Sequence, residues 1–434
     1  MLRKQLTVSL FIYHFVAKLL MVLKGRQVVV GYGKFWHTCG YCGIFTCIAI
    51  PTATAQHYFS EVAMQRYKQC ERFEFTSTNS FLEETVARQN MSLVVENYAN
   101  FLQLLCSENE VLYKKLAHYE EDRVDKIHEQ GSGATYNFCQ AEIKLQWAFI
   151  HLKFGHEWHA FQNIRHAYKL LKENEKLYPT FLPQQRSLGF LHCMIAAVPE
   201  KYQWALSWVG LQGNAEKGIH YLQTVAKSTD FYAQETQFLL ALIQTFILKK
   251  PEKALQTIEF YELNKKVAEN PQNLVHSLAL SWLYVKLGKA KQLLEINQAL
   301  QQERPTLLHM QRCDMLLRSY LYAEGLFLTG NFREAEKYYL LYLSTTTGTL
   351  YVKDCYYKLA LLYYLQNNMP KAEIYRDFIV EKGATNTTAD RYAMRFAEKK
   401  QFPSKNLLHI RLLVDGGEYQ AALQKLTQFD TFIR

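Results

Sequence analysis

SYLYAEGLFLTGNFREAEKYYLLYL, residues Ser319 to Leu343, decides the fold. On both sides of Gly330-Asn331 apolar residues recur at intervals of three and four, the spacing of an amphipathic helix face rather than of a strand. A glycine at the break can adopt the left-handed conformation that closes a helix. Ala335, five residues beyond it, and Ala323, seven residues before it, are small enough to let two backbones approach closely. The segment predicts a helical hairpin.

The same arrangement recurs outward from this stretch. Gly155-HEWH-Ala160, Gly213-NAEK-Gly218, Lys249-KPEK-Ala254, Gly330-NFRE-Ala335, Asn367-NMPK-Ala372 and Gly417-EYQA-Ala422 share it, and Gly288-KAKQ-Leu293 is a weaker member. Successive fifth positions stand 58, 36, 39, 42, 37 and 50 residues apart, which is one helix pair plus turns, stretched by insertions. Ala148, Ser281, Ala323 and Ala360 occupy the small position seven residues before their turns. The pattern resembles the tetratricopeptide repeat over residues 140–425, best in the opening stretch and next best from Tyr356 to Ile379. That resemblance implies an all-α fold, a right-handed α-solenoid of antiparallel helix pairs. Leu293 at a small position, and Leu206 and Ile410 where Gly or Ala is usual, depart from it and leave the repeat boundaries open.

One segment breaks the regularity. Ala196 to Leu222, AAVPEKYQWALSWVGLQGNAEKGIHYL, carries two tryptophans, a proline and three glycines. Pro199 suits a first helical turn, and Trp204 and Trp208, four apart, share a helix face. With Phe190, Leu191 and Met194 on the preceding helix, the spacing predicts a buried structural joint made of Pro199, Trp204, Trp208, Gly213 and Gly218. A ligand-binding aromatic box is the alternative. The pattern PxxYxWxLxxxGxxGxxxxGxxxL after TFLPQQRSLGFLH is similar to the divergent repeat family that includes mitochondrial outer-membrane inclusion-body clearance proteins and their exported bacterial relatives. This likeness implies a helical-repeat protein and carries no catalytic residue across.

Four regions follow: a targeting segment (1–55), an N-terminal helical region (56–135), divergent repeats containing the tryptophan segment (136–230), and repeats to the end (231–434). The first reads as an address. Gly43 to Ile50 is a short apolar run, and Pro51-Thr52-Ala53-Thr54-Ala55-Gln56 places small residues where a signal peptidase reads them, so cleavage is expected after Ala55. The preceding stretch is long for such a segment. Translation from Met21 accounts for it, and a separate anchor from Leu6 to Leu23, interrupted by His14 and Lys18, is the other reading. Export to the periplasm is expected, with membrane anchoring through this segment as the alternative.

Charge supports a mature chain without a phosphate-binding stripe. The chain carries a formal charge of +10, but residues 1–55 hold Arg3, Lys4, Lys18, Lys24, Arg26 and Lys34 and no acid. Without them 44 basic residues face 40 acidic ones. Neutralising several phosphates takes clustered cations, so no nucleic-acid partner is expected.

Candidate chemistry is sparse. Cys39 and Cys42, with His37 and Cys47 nearby, have zinc-like spacing inside the segment expected to be removed. Cys70, Cys106, Cys139, Cys193, Cys313 and Cys355 stand alone in apolar contexts, as small core residues do. His151, His156, His159 and His166 form the best enzyme-like group, yet His156-Glu-Trp-His159 falls one residue short of the H-E-x-x-H zinc spacing and Ala160 takes the needed place. Phosphate-binding glycine loops and nucleophile elbows are missing from the sequence, and no cofactor is expected.

A repeat array of this kind offers an extended surface for proteins or peptides. On the two best repeats the first-helix positions Tyr320, Glu324, Phe327, Asp354, Tyr357 and Tyr364 are expected to face it. The set is aromatic and mildly acidic, without the Lys and Asn clamp for a terminal carboxylate. The alternative is that these aromatics pack on a neighbouring helix. The expected function is a non-catalytic scaffold or adaptor binding a protein or peptide, in the periplasm or at an envelope membrane. A metal-binding protein or hydrolase using His151 to His166 is the other class.

Overall fold

In the computed structural model, which describes residues 58–75, 86–303 and 312–433, every regular element is helical and no strand occurs among the described residues. The expected targeting segment, with its cysteine group and the Ala53–Ala55 site, lies outside the described residues, as does the Cys313 side chain. The N-terminal helices are α1 (Glu61–Glu71), α2 (Val86–Cys106), α3 (Glu110–Leu116) and α4 (Tyr119–Gln130). Pairs follow: α5 (Ala134–Lys153) with α6 (Glu157–Leu177), then α7 (Pro183–Ala196), α8 (Glu200–Trp208) and α9 (Ala215–Ala226). Next come α10 (Ala233–Leu242), prolonged by a π-helical turn over Ile243–Ile247, α11 (Pro251–Phe260) and α12 (Leu263–Glu269). The remainder comprises α13 (Leu274–Leu287) with α14 (Ala290–Glu303), α15 (Arg312–Leu328) with α16 (Phe332–Thr345), α17 (Val352–Leu365) with α18 (Met369–Glu381), α19 (Thr388–Lys399), and α20 (Lys405–Gly416) with α21 (Tyr419–Ile433).

The hairpin reading is realised in the backbone. Gly155, Lys249, Gly288, Gly330, Asn367 and Gly417 all have φ between 58° and 90°, the left-handed conformation that ends the first helix of each pair. The small residues that follow, Ala160, Ala254, Ala335, Ala372 and Ala422, are buried against the partner helix, as is Leu293. Ala148, Ser281, Ala323 and Ala360 are buried on the opposite side of the crossing. Side-chain caps set several starts: Asn214, Asn273, Asn368 and Thr387 accept the backbone N–H three residues on.

The Gly213 turn departs from this scheme. Its close helix pair is α7 with α9, and α8 is inserted between them. Gly189 and Gly218 meet where α7 and α9 cross: a Cβ on Gly218 would lie 2.7 Å from the Gly189 carbonyl oxygen and 2.6 Å from Cys193 Sγ. Gly189 therefore fills the small position for which Leu206 looked wrong. The inserted helix also explains the 58-residue spacing between Ala160 and Gly218. Gly213 has no left-handed φ; it is pressed onto the end of α7, where a Cβ would lie 2.3 Å from the Ala196 nitrogen. The left-handed cap of α8 is Gly210, with φ 81°.

First helices contact one another along the chain, α5 with α7, α10 with α13, α13 with α15, and α15 with α17. The first and the last of the described helices pack back onto this row. At the N-terminal end, α2 packs on α5 and α15, and α1 packs on α13. Tyr58 donates a hydrogen bond to Asp230 at 2.9 Å, Tyr67 donates to Glu235, and Phe59 lies 4.1 Å from Phe231 between ring centres. The Glu108 carboxylate accepts from the Thr349 N–H, its hydroxyl (3.2 Å) and the Leu350 N–H (3.3 Å), tying residues 241 and 242 positions apart. At the C-terminal end α20 packs on α15, and Gly417 abuts Gly288, whose carbonyl oxygen leaves no room for a side chain.

Candidate functional site

The six expected surface residues are satisfied within the chain. Tyr320, Glu324, Phe327, Asp354 and Tyr357 are buried and Tyr364 is half-buried. Tyr320 donates to Asp354 at 2.9 Å and stacks on Tyr351; Tyr339 donates to Glu324 at 2.6 Å. Lys358, from the same face of α17, bonds both Glu324 oxygens at 2.6 and 2.7 Å and lies 3.9 Å from Asp354. Burial raises the Asp354 carboxyl, and the two carboxylates raise Lys358 against the opposing effect of burial. Tyr357 meets Tyr392 and Phe396 of α19, and Tyr364 stacks on Phe402 at 4.5 Å. The expectation of partner-facing side chains is thus corrected at these positions: their own hairpin and the next helices along the chain cover them, and local periodicity does not say which face those neighbours take.

The tryptophan segment is corrected in the opposite direction. Trp204 and Trp208 are 65% and 83% exposed, so they are not the buried joint that their spacing predicts. The physical reason lies in the insertion. Helix α8 is apolar on two sides and buries Ala205 and Leu206, which turns both indoles outward. Pro199 is the N-cap of α8, one residue ahead of its first turn. Gln203 Nε2 fastens this entry by donating to the carbonyls of Ile195 (3.0 Å) and Val198 (2.7 Å). The packing role belongs instead to Gly213 and Gly218, with Gly189 as a member that the sequence reading missed although it stands within TFLPQQRSLGFLH.

Three of the four candidate histidines converge. The His151 ring lies 5.5 Å from His159 and 6.3 Å from His156, and His156 and His159 are 6.1 Å apart between ring centres. His166 is exposed, and no ring contact joins it to the others. Both nitrogens of His151 are occupied: Nδ1 pairs with the Tyr113 hydroxyl at 3.0 Å and Nε2 with Glu120 Oε2 at 2.9 Å. Burial works against the Glu120 carboxylate, but the His151 hydrogen bond and the Lys144 ammonium prevail and hold it below its ordinary range. Asn163 donates to the same carboxylate at 2.7 Å. This is a satisfied polar network across α3, α4, α5 and α6. No group of three or more His, Cys, Asp or Glu among the described residues is placed to hold a metal ion.

Cys70, Cys139, Cys193 and Cys355 are buried, and burial raises each thiol, which suits packing rather than nucleophilic chemistry. No described helix is long and apolar enough to cross a membrane.

Exposed large apolar side chains occur along much of the described chain, Val111, Phe260 and Ile374 among them, and two groups of them are closely spaced. One is the α8 indole pair. The other is the last hairpin, where Tyr419, Leu423 and Leu426 follow helical spacing on α21 at 59%, 64% and 45% exposure, and Leu407 and Val414 on α20 are exposed as well. Compared with known proteins, the chain matches no family model and no curated sequence, so its functional reading rests on this geometry.

Proposed function

We propose that the chain is a non-catalytic helical-repeat scaffold, a right-handed α-solenoid of the tetratricopeptide type, that binds a protein or peptide partner. The observation that carries the reading is the exposed stripe Tyr419, Leu423 and Leu426 on the last hairpin. An apolar stripe at helical spacing is the surface that a neighbouring repeat ordinarily covers, and exposed contiguous apolar surface marks interaction sites. The recurring left-handed turns and small crossing residues support the repeat class. Partner binding moves from the expected first-helix positions to this outer face, because those positions are satisfied internally.

The signal-like start supports export, to the periplasm or to an envelope membrane. N-terminal sequencing of the mature protein checks it: an end at Gln56 is expected, and a retained Met1 or Met21 end overturns it. For the partner, affinity capture with the parent chain and with Leu423→Glu/Leu426→Glu is the test. A protein that binds the purified parent directly and is lost with the variant supports the scaffold; equal binding by both removes the stripe from the reading.

The second reading, a metal-binding protein or hydrolase, is favoured only by the convergence of His151, His156 and His159. Zinc content of the purified chain decides it. Stoichiometric metal lost in His159→Ala supports that class, and substoichiometric metal indifferent to the substitution removes it.

A further inference from the structure

Helix α8 is more than a filler between α7 and α9. Joining those two helices does not require a helix with apolar residues on opposite sides. Ala205 and Leu206 suffice to fix it, while Trp204 and Trp208 stand one turn apart on the solvent side with only Ala205, Leu206 and Ser207 between them. Folding leaves two of the largest apolar side chains in water on a helix of nine residues. The Trp204 indole N–H is already spent on its own helix, donating to the Lys201 carbonyl at 3.0 Å, which leaves the ring to act as an apolar surface.

Among the charges around the pair, three cations stand against two acids. Lys201 precedes Trp204 by one turn and is exposed. Arg165, exposed on α6, donates through Nε to the Val209 carbonyl at 3.1 Å, which puts its guanidinium at the residue following Trp208. Lys169, one turn further along the same exposed face of α6, adds a third cation. Glu200 is the acid of α8 itself; Glu216 opens the next helix, and Lys217 is engaged with Glu175 at 3.0 Å. Indoles partition to the boundary between headgroups and acyl chains, and neighbouring Lys and Arg add attraction to anionic lipid.

We propose that α8 docks the protein on an anionic lipid surface, with Trp204 and Trp208 entering the headgroup boundary and Arg165, Lys169 and Lys201 meeting lipid phosphates. Charge complementarity argues for lipid, and so does the arrangement of the pair: two indoles on one side of a short helix reach a single plane together. The inference goes beyond the scaffold reading, since it concerns a different face from the α20–α21 stripe.

Vesicle flotation of the full chain tests it, using phosphatidylcholine vesicles with phosphatidylglycerol added or omitted. The parent chain should float with the anionic vesicles and show a blue shift in tryptophan emission. Trp204→Ala/Trp208→Ala should partition about tenfold or more weakly, with an unchanged melting temperature because both side chains are exposed. Lys169→Glu/Lys201→Glu, which leaves the indoles in place, should also lose anionic binding. All chains share one N-terminus, so its contribution cancels in the comparison. Flotation by the indole variant equal to that of the parent overturns the proposal, as does equal flotation on vesicles without phosphatidylglycerol. Loss of a soluble protein partner in the indole variant, without any loss of flotation, also overturns it and assigns α8 to protein recognition.

Discussion

Two glycines of the hairpin pattern, one in a turn and one inside a helix, make opposite demands on a side chain. Gly330 has φ 81° and open space around a Cβ, so its requirement is conformational. Gly330→Val should cost about 1 to 2 kcal/mol through the left-handed backbone alone, read as a lowered urea midpoint, while Gly330→Asn should retain most of the stability. Gly218 is ordinary in backbone and has no space, with Cys193 Sγ and the Gly189 oxygen within 2.7 Å of a Cβ. Gly218→Ala should cost about 1 to 3 kcal/mol by overpacking the α7–α9 crossing. A third residue responds to acid. His276 stacks on Phe238 at 4.2 Å and lies 3.7 Å from Glu71; burial pushes its imidazole down to about 3, while burial pushes Glu71 up to about 7. Below its ordinary value of 6.5 the unfolded imidazole takes a proton that the folded one refuses, so the His276 contribution is present above 6.5 and is lost as pH falls from 6.5 towards 3. Its slope is about 1.4 kcal/mol per pH unit. Glu71 has the opposite sign, favouring the fold below 4.5 and losing that advantage as pH rises towards 7. Denaturant titrations of parent and His276→Phe at several pH values should therefore diverge below 6.5, the parent losing more stability than the variant.

Single elements acquire their roles from their neighbours. Helix α17 contributes Lys358 to a buried pair with Glu324 of α15, and the pair joins one hairpin to the next. Lys358→Met should cost about 3 to 5 kcal/mol, because the remaining carboxylate is left buried without its cation. Thermal melts check this, and Glu324→Gln in the same chain should recover part of the loss. The hairpins were largely legible in the sequence, since a left-handed turn and a small crossing residue are local requirements that leave local marks such as Gly330 and Ala335. The orientation of α8 was not. Trp204 with Trp208, and Ala205 with Leu206, define two apolar sides, and spacing alone cannot choose which one a neighbour covers. Volume suggested the tryptophans, but the smaller pair is the one that is buried.

At the scale of the whole molecule, the first and the last of the described helices pack against the row of first helices. This is where sequence reading stopped: Glu108 carries no mark of Thr349 and Leu350, because those contacts are 241 and 242 residues distant along the chain. An open repeat array loses terminal repeats first, whereas a row bridged by α1 and α2 should open as one unit. Hydrogen exchange should then give α1 and α17 similar opening free energies, and separate unfolding of either would contradict the bridging role. Glu108→Ala, which removes the tie to Thr349 and Leu350, should narrow protection in both places.

The Glu108 tie also has a consequence in time. Its acceptor is synthesised 241 residues before the Thr349 N–H that it binds. At roughly 5 to 20 residues per second, that gap amounts to about 12 to 48 s on the ribosome. Within that interval Phe59 and Tyr67 also wait, until Phe231, Tyr232 and Glu235 are made, the last of them 168 residues beyond Tyr67. The nascent chain therefore holds the aromatic face of its first helices uncovered for much of its synthesis, which makes that face the natural hold for a chaperone.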